Sequence, residues 1–519
     1  MPGCYYGLTS VGMQLLTRFQ PVRKRPMMPD VSVPLLLTAL LWYSSSYDVT
    51  LAETAAAFLL GWLPWASYRN WYRGERKGIP LFALLAGMYW LSYVVPLFWG
   101  SHEVGLVSGR RPLSERAITA SLYLVVMGVV ALGAGIKLAA RFRWVPAIRV
   151  DVSGTPKHWH YLRIIFIVGT LVKVFVPITE WGEGGRQFVS NFENMVPAVS
   201  FAIFLRYYLR RMISDLDKFL MLGYAFLALV VGVSSGWLGS FIGLGIVCVI
   251  VYTYERRKLP LTAALIVLPI ILFFQPGKAA FRERYWRGDS AGGYSERVAF
   301  WVESSWNMWA DAITDRTGQK GKLLADATFA RLSLLQQTAN VMEFTPGRVP
   351  YQYGRLYSYI GVTFIPRFLW PDKPSVNDAN RWYQVSYGLT LPQGLSSVSI
   401  SVGTLAESYI NFGWLGPVLI MVPLGIFLGS VQRIFLRADS GLLFSSVGAV
   451  LVPQLLSVES QMAEYVAGFA QQVFVVLLVL IPVLKSRGRG KAAPARMFAR
   501  PANSAEILRS NTSLQKPPL

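Results

Sequence analysis

The chain has 519 residues, 53% of them hydrophobic and only 15% charged, with a mean hydropathy of +0.40, too apolar for an ordinary soluble domain. Its net charge of +22 would suit a nucleic-acid binder, but Lys and Arg cluster at the ends of apolar runs, the pattern that orients membrane helices, so no nucleic-acid partner is expected. Cys4 in the N-terminal tail and Cys248 inside an apolar run offer no disulfide framework, and His102, His158 and His160, spread over separate loops, offer no metal site.

Residues 1–30 read as a basic cytoplasmic tail leading to an uncleaved anchor. Residues 31–275 hold nine apolar runs, at 31–47, 51–67, 79–99, 118–138, 161–179, 195–211, 218–235, 237–254 and 259–275. Three more follow at 404–431, 441–457 and 467–484, within a C-terminal membrane segment 404–485. At about 1.5 Å rise per helical residue such runs approach the roughly 30 Å of hydrocarbon in a bilayer. An all-α polytopic membrane protein of about twelve transmembrane helices is therefore expected. Alternate loops differ sharply in basic residues. One set holds Arg69, Arg73, Arg76 and Lys77, then Arg141, Arg143 and Arg149, then Arg206, Arg210 and Arg211, and Arg256, Arg257 and Lys258; the other holds chiefly Arg110, Arg111, Arg116 and Arg186. Both termini are predicted to be cytoplasmic. Lys173, near an outer helix end, is expected to snorkel to the interface.

Residues 276–403 form one long extracytoplasmic loop, too long to lack elements of its own. Val298, Val302, Trp306, Trp309 and Ile313 recur at three- and four-residue steps and predict an interfacial amphipathic helix over 295–315. A second helix is predicted over 322–343 from Leu323, Phe329, Leu332, Leu335 and Val341. The stretch "KAAFRERYWRG" at the exit of the ninth run carries Lys278, Arg282, Arg284 and Arg287; it reads either as a solvated collar or as cations that steer an anionic headgroup. Residues 486–519, basic and rich in Ala, Pro and Ser, are expected to be a disordered cytoplasmic tail.

The densest polar chemistry lies at "FIPRFLWPDKPSVNDANRWYQ", residues 364–384. Pro366, Pro371 and Pro374 stiffen a frame around Arg367, Trp370, Asp372 and Lys373, because proline fixes its own φ and restricts the residue before it. Arg can grip phosphate with two hydrogen bonds, Lys adds a point charge, and Trp370 and Trp382 offer flat faces for sugars or headgroups. A rigid surface turn with interfacial aromatics is the plain alternative. Downstream, "GTLAESYINFGWLG" places Glu407 at the membrane entrance of the tenth run, where a charge must be paired, wet or functional.

Taken together, "ARLSLLQQTANVM" at 330–342, "YGRLYSYIGVTFIPRFLWPDKPSVN" at 353–377 and "VGTLAESYINFGWLGPVLIMVPLG" at 402–425 resemble the Wzy-type, or O-antigen, polymerases of oligosaccharide repeat units. The resemblance covers roughly residues 220–430. It implies a GT-C-like fold with a large helical periplasmic loop, in a multi-pass protein of the bacterial inner membrane. It also implies a glycosyltransferase that joins undecaprenyl-diphosphate-linked repeat units into O-antigen, capsule or exopolysaccharide at the outer face, alongside a flippase and a chain-length regulator. By position, Arg331, Arg367 and Lys373 match family cations, and Glu407, Asn411 and Gly413 match the segment after the loop. On the residues alone, Arg282 and Arg284 as steering cations and Trp370 as a stacking face are further binding candidates, with Glu407 and then Asp372 as candidates for a general base. Fixed cations would stabilise the departing diphosphate, so neither metal nor other cofactor is expected. The turn "VSSGWLGS" at 233–240 carries no charge, a departure from the family pattern that removes one phosphate contact. A ligase of related architecture is the nearest alternative. A flippase or exporter is a further one, weakened by the absence of internal repeats and of paired broken spans.

Overall fold

The computed structural model describes residues 31–45, 48–74, 78–99, 113–142, 145–146, 148, 150–152, 156–176, 183–236, 239–287, 292–321, 324, 333–365, 369–370, 372–396, 400–437 and 439–486. Both expected tails, Arg331, Arg367 and most of the segment 322–332 lie outside these residues.

Each predicted apolar run is helical over most of its described residues. In chain order the helices are α1 (Ser32–Tyr43), α2 (Leu51–Arg73), α3 (Leu81–Trp99), α4 (Glu115–Phe142), α5 (Pro156–Phe175), α6 (Glu183–Leu209), α7 (Asp215–Ser234), α8 (Gly239–Arg256) and α9 (Leu261–Phe274). The loop then supplies α10 (Lys278–Arg282), a π-helical turn at Glu283–Arg287, α11 (Tyr294–Thr314), α12 (Leu335–Phe344), α13 (Ser358–Thr363) and α14 (Asp378–Ser386). The chain returns through α15 (Gly403–Phe412), α16 (Gly416–Phe435), α17 (Gly441–Leu455) and α18 (Met462–Leu480). One short antiparallel pair, β1 (Val150–Val152) with β2 (Leu484–Ser486), closes the end where the last helix leaves.

Among the described residues, six helical segments are long and apolar enough to cross a membrane: Leu81–Trp99, Glu115–Phe142, Gly185–Leu209, Asp215–Ser234, Gly403–Phe435 and Met462–Val483. The chain is a helical membrane protein. One face of α7 shows what surrounds it, since Phe219 is 74% exposed and Leu222 and Phe226 are each 65% exposed; an apolar stripe of this kind is stable against lipid, not water. Among the described residues the other apolar runs do not reach that length and apolarity, and two of them show why. At 12 residues α1 is about 18 Å long, well under the hydrocarbon thickness. At 23 residues α2 is long enough but carries Glu53, Arg69, Asn70 and Arg73.

Local chemistry fixes the helix ends. Thr50 and Glu53 form a capping box at α2, and the second Glu53 oxygen accepts from Thr119 Oγ1 at 2.8 Å, tying α2 to α4. On α5 and α7, Arg163 and Asp217 form a two-pronged ion pair at 2.6 and 2.9 Å, which Trp159 joins at 3.0 Å. Arg206 of α6 and Arg210, in the turn that follows it, share Glu255 of α8 at 2.7 and 2.8 Å. Lys173 donates to Asn194 Oδ1 at 2.6 Å.

Helix α4 crosses α16 closely, and glycines permit it. A Cβ on Gly135 would lie 2.2 Å from Val422 O, and one on Gly425 2.3 Å from Leu132 O. Small residues at such a seam let backbones approach, the main source of helix association in lipid.

The predicted amphipathic helix over 295–315 is α11, with Trp301 fully buried and Trp306 65% exposed. Two of its indoles explain its position. Trp301 Nε1 donates to Phe274 O at 2.9 Å and Trp309 Nε1 to Phe273 O at 3.2 Å, satisfying carbonyls that the end of α9 leaves open. The second predicted helix, over 322–343, is not continuous: among its described residues Leu324 is helical, Ser333 and Leu334 are not, and α12 begins only at Leu335.

Candidate functional site

The tenth apolar run is not one helix. It breaks at a single 3-10 turn, Gly413–Leu415, between α15 and α16. Gly413 makes the break possible, with φ +59° and ψ −142°, a conformation nearly closed to other residues. A break inside an apolar run leaves helix-end carbonyls without partners, and a loop segment supplies them. Gln352 N donates to Ile410 O and Tyr353 N to Asn411 O, both at 3.0 Å. Gly354 N donates to Asn411 Oδ1 at 3.0 Å, while Asn411 Nδ2 donates back to Glu407 O at 2.9 Å. The "YGRLYSYI" and "GTLAESYINFGWLG" stretches are thereby stitched together.

The consequence at the centre is a fully buried carboxylate. Glu407 Oε2 accepts from Met462 N at 2.7 Å and takes the place of a cap at the start of α18, where Gln461 offers no side-chain cap. Glu407 Oε1 is buried and makes no hydrogen bond, and the same holds for both side-chain atoms of Gln461 and for the Tyr357 hydroxyl. Burial first, and then the Glu407 charge, hold the Tyr357 hydroxyl well above the ordinary tyrosine range. The Asn411 side chain offsets part of this. Around this centre stand Tyr351, Tyr353, Tyr409, Phe412 and Trp414. Tyr357 stacks on Phe412 at 6.1 Å and Tyr409 meets Trp414 edge-on at 6.0 Å. Tyr353 is 79% exposed and sits at φ +46°, beside Gly354 at φ +91°.

The expected residues divide accordingly. Glu407, Asn411 and Gly413 come together at this junction. Lys373 follows α13 in the chain and caps its C-terminal end, where its Nζ donates to Ile365 O at 2.7 Å and Val362 O at 3.3 Å, carbonyls that a phosphate would have to displace. Asp372 and Trp370 are exposed on the same turn. Glu407 pairs with no basic side chain among the described residues. Arg282 and Arg284 stand elsewhere. Arg282 lies over the Trp286 ring at 4.3 Å, and Arg284 over Phe300 at 4.5 Å with Glu296 at 3.5 Å, around a small separate cluster of Val233, Phe281 and Trp301. Tyr357 and Gln461 belong to the site but were not singled out from sequence. Tyr357 lies inside a quoted motif; nothing local marks Gln461, which meets Glu407 only through the fold.

Residues 110–444, more than half of the chain, match a family described as Domain of unknown function (DUF8712). The chain belongs to this family. The matched region takes in the loop, α15 and α16, including Tyr357, Glu407, Asn411 and Gly413, and stops before Gln461 and α18. No curated protein and no solved structure matches the chain.

Proposed function

We propose that the protein is a membrane glycosyltransferase that joins undecaprenyl-diphosphate-linked oligosaccharides into a longer polysaccharide at the outer face of a bacterial inner membrane, with a GT-C-like arrangement of about twelve spans. One observation supports this most directly: the two stretches that carry the polymerase resemblance are hydrogen-bonded to each other around the buried, half-satisfied Glu407.

In this reading the acceptor sugar's hydroxyl attacks the anomeric carbon of the donor, the bond to the diphosphate oxygen breaks, and the acceptor proton passes to a base. Glu407 is 0% exposed, so it acts from within, fixing α15 on α18 and keeping its second oxygen without a hydrogen-bond partner. Exposed Asp372 is the carboxylate that an acceptor hydroxyl meets first. Arg331 and Arg367, matched to family cations by sequence position, neutralise the diphosphate, and the tyrosines and Trp414 stack on sugar rings.

The test is the surface polysaccharide of a deletion strain on a gel. Loss of the ladder with a single unit retained supports polymerisation. Loss of every unit would assign the protein to ligation instead, and an unchanged ladder would exclude both.

A further inference from the structure

A cavity of about 240 Å³ lies among α1, α2 and α3, lined by Pro34 and Leu37, by Gly61, Pro64, Trp65 and Tyr68, and by Ala83 and Trp90 among others. Nearly all of this lining is apolar, which disfavours water and suits hydrocarbon. Its position explains why it exists. Helix α1 is too short to cover the full height of α2 and α3, and its Leu35, Leu36 and Leu40 are 57, 70 and 60% exposed, so the cavity borders lipid. Gly61 helps to keep it open, since a Cβ there would already lie 3.2 Å from Trp90 Nε1.

One end of the cavity is chemically distinct. Trp65 and Tyr68 stand 6.1 Å apart and Tyr68 and Trp71 5.7 Å apart, an aromatic tier of the sort found at headgroup level. The same last turns of α2 carry half-buried Arg69 and exposed Arg73. Apolar depth, an aromatic tier and then two guanidiniums reproduce the order of groups along an anionic lipid. We propose that this cavity is a binding site for one acyl chain of an anionic phospholipid, whose phosphate lies against Arg69 and Arg73. The bound chain fills the notch that short α1 leaves and secures α1 to α2 and α3. The site is independent of the reaction proposed above.

The full chain, purified in detergent and titrated with dioleoyl phosphatidylglycerol, dioleoyl phosphatidylcholine or undecaprenyl phosphate, is read by native mass spectrometry. One phosphatidylglycerol is expected to be retained, preferred roughly 30-fold over phosphatidylcholine, as two basic residues at about 1 kcal/mol each imply. Arg69→Gln with Arg73→Gln should abolish that preference. Gly61→Leu, and separately Ala83→Leu, should lower retention about tenfold while the protein elutes as the same single species. Equal retention of the two phospholipids by the unaltered chain would overturn the proposal without recourse to any variant. So would cavity-filled variants that bind as the parent does, or one-for-one displacement by undecaprenyl phosphate, which would assign the cavity to an isoprenoid chain.

Discussion

Glu407 combines two roles that substitution can separate. Glu407→Gln keeps an oxygen for Met462 N–H, so thermal stability should stay within about 1 kcal/mol of the parent, whereas Glu407→Ala leaves that buried donor open and should cost about 1–3 kcal/mol. If the carboxylate serves the reaction, Glu407→Gln should still lower polymer yield about 100-fold or more. Full activity in a stable Glu407→Gln protein would leave Glu407 as a helix cap only. Tyr357 gives a sharper contrast, because its buried hydroxyl makes no hydrogen bond. Tyr357→Phe should therefore be as stable as the parent, or more so, yet lose at least about tenfold in turnover. Glu407 and Asn411 were legible because a charge and an amide stand out in an apolar run. Tyr357 and Gln461 were not, since a tyrosine in an aromatic-rich loop and a glutamine before a helix acquire meaning only from contacts across the fold.

At the scale of elements, the helices followed from apolarity, and their weak points follow from glycine. The break between α15 and α16 was hidden by hydropathy that runs straight through it, from Leu405 to Leu428. Gly413→Ala forces an unfavourable backbone conformation and sets a Cβ 3.0 Å from Tyr351 Oη, so a loss of about 1–3 kcal/mol is expected on thermal unfolding. Gly425→Val meets backbone at 2.3 Å and should cost more, to the point of losing monodisperse protein on size exclusion. Gly87, mid-helix in α3 with nothing within 4 Å of the methyl that alanine would add, is the control: Gly87→Ala should be neutral or stabilising by up to about 1 kcal/mol.

For the whole molecule, composition alone placed the chain in a membrane, and the exposed apolar stripe of α7 agrees. The number of crossings was less legible. Hydropathy windows register apolar runs but not whether a helix such as α1 or α9 reaches across, which depends on length and neighbours. The predicted outward placement of residues 276–403 rests on the distribution of basic residues. A single cysteine at Thr317, in the exposed turn after α11, should react with a membrane-impermeant maleimide in intact spheroplasts, after Cys4 and Cys248 are replaced by Ser; protection until lysis would place the loop inside. The most direct measurement remains the reaction itself. Purified protein in liposomes, given an undecaprenyl-diphosphate-linked oligosaccharide of defined length, should yield products of two, three and more repeat units, and the folded Glu407→Gln protein should not. An unaltered protein that leaves the donor at its starting length would contradict the account.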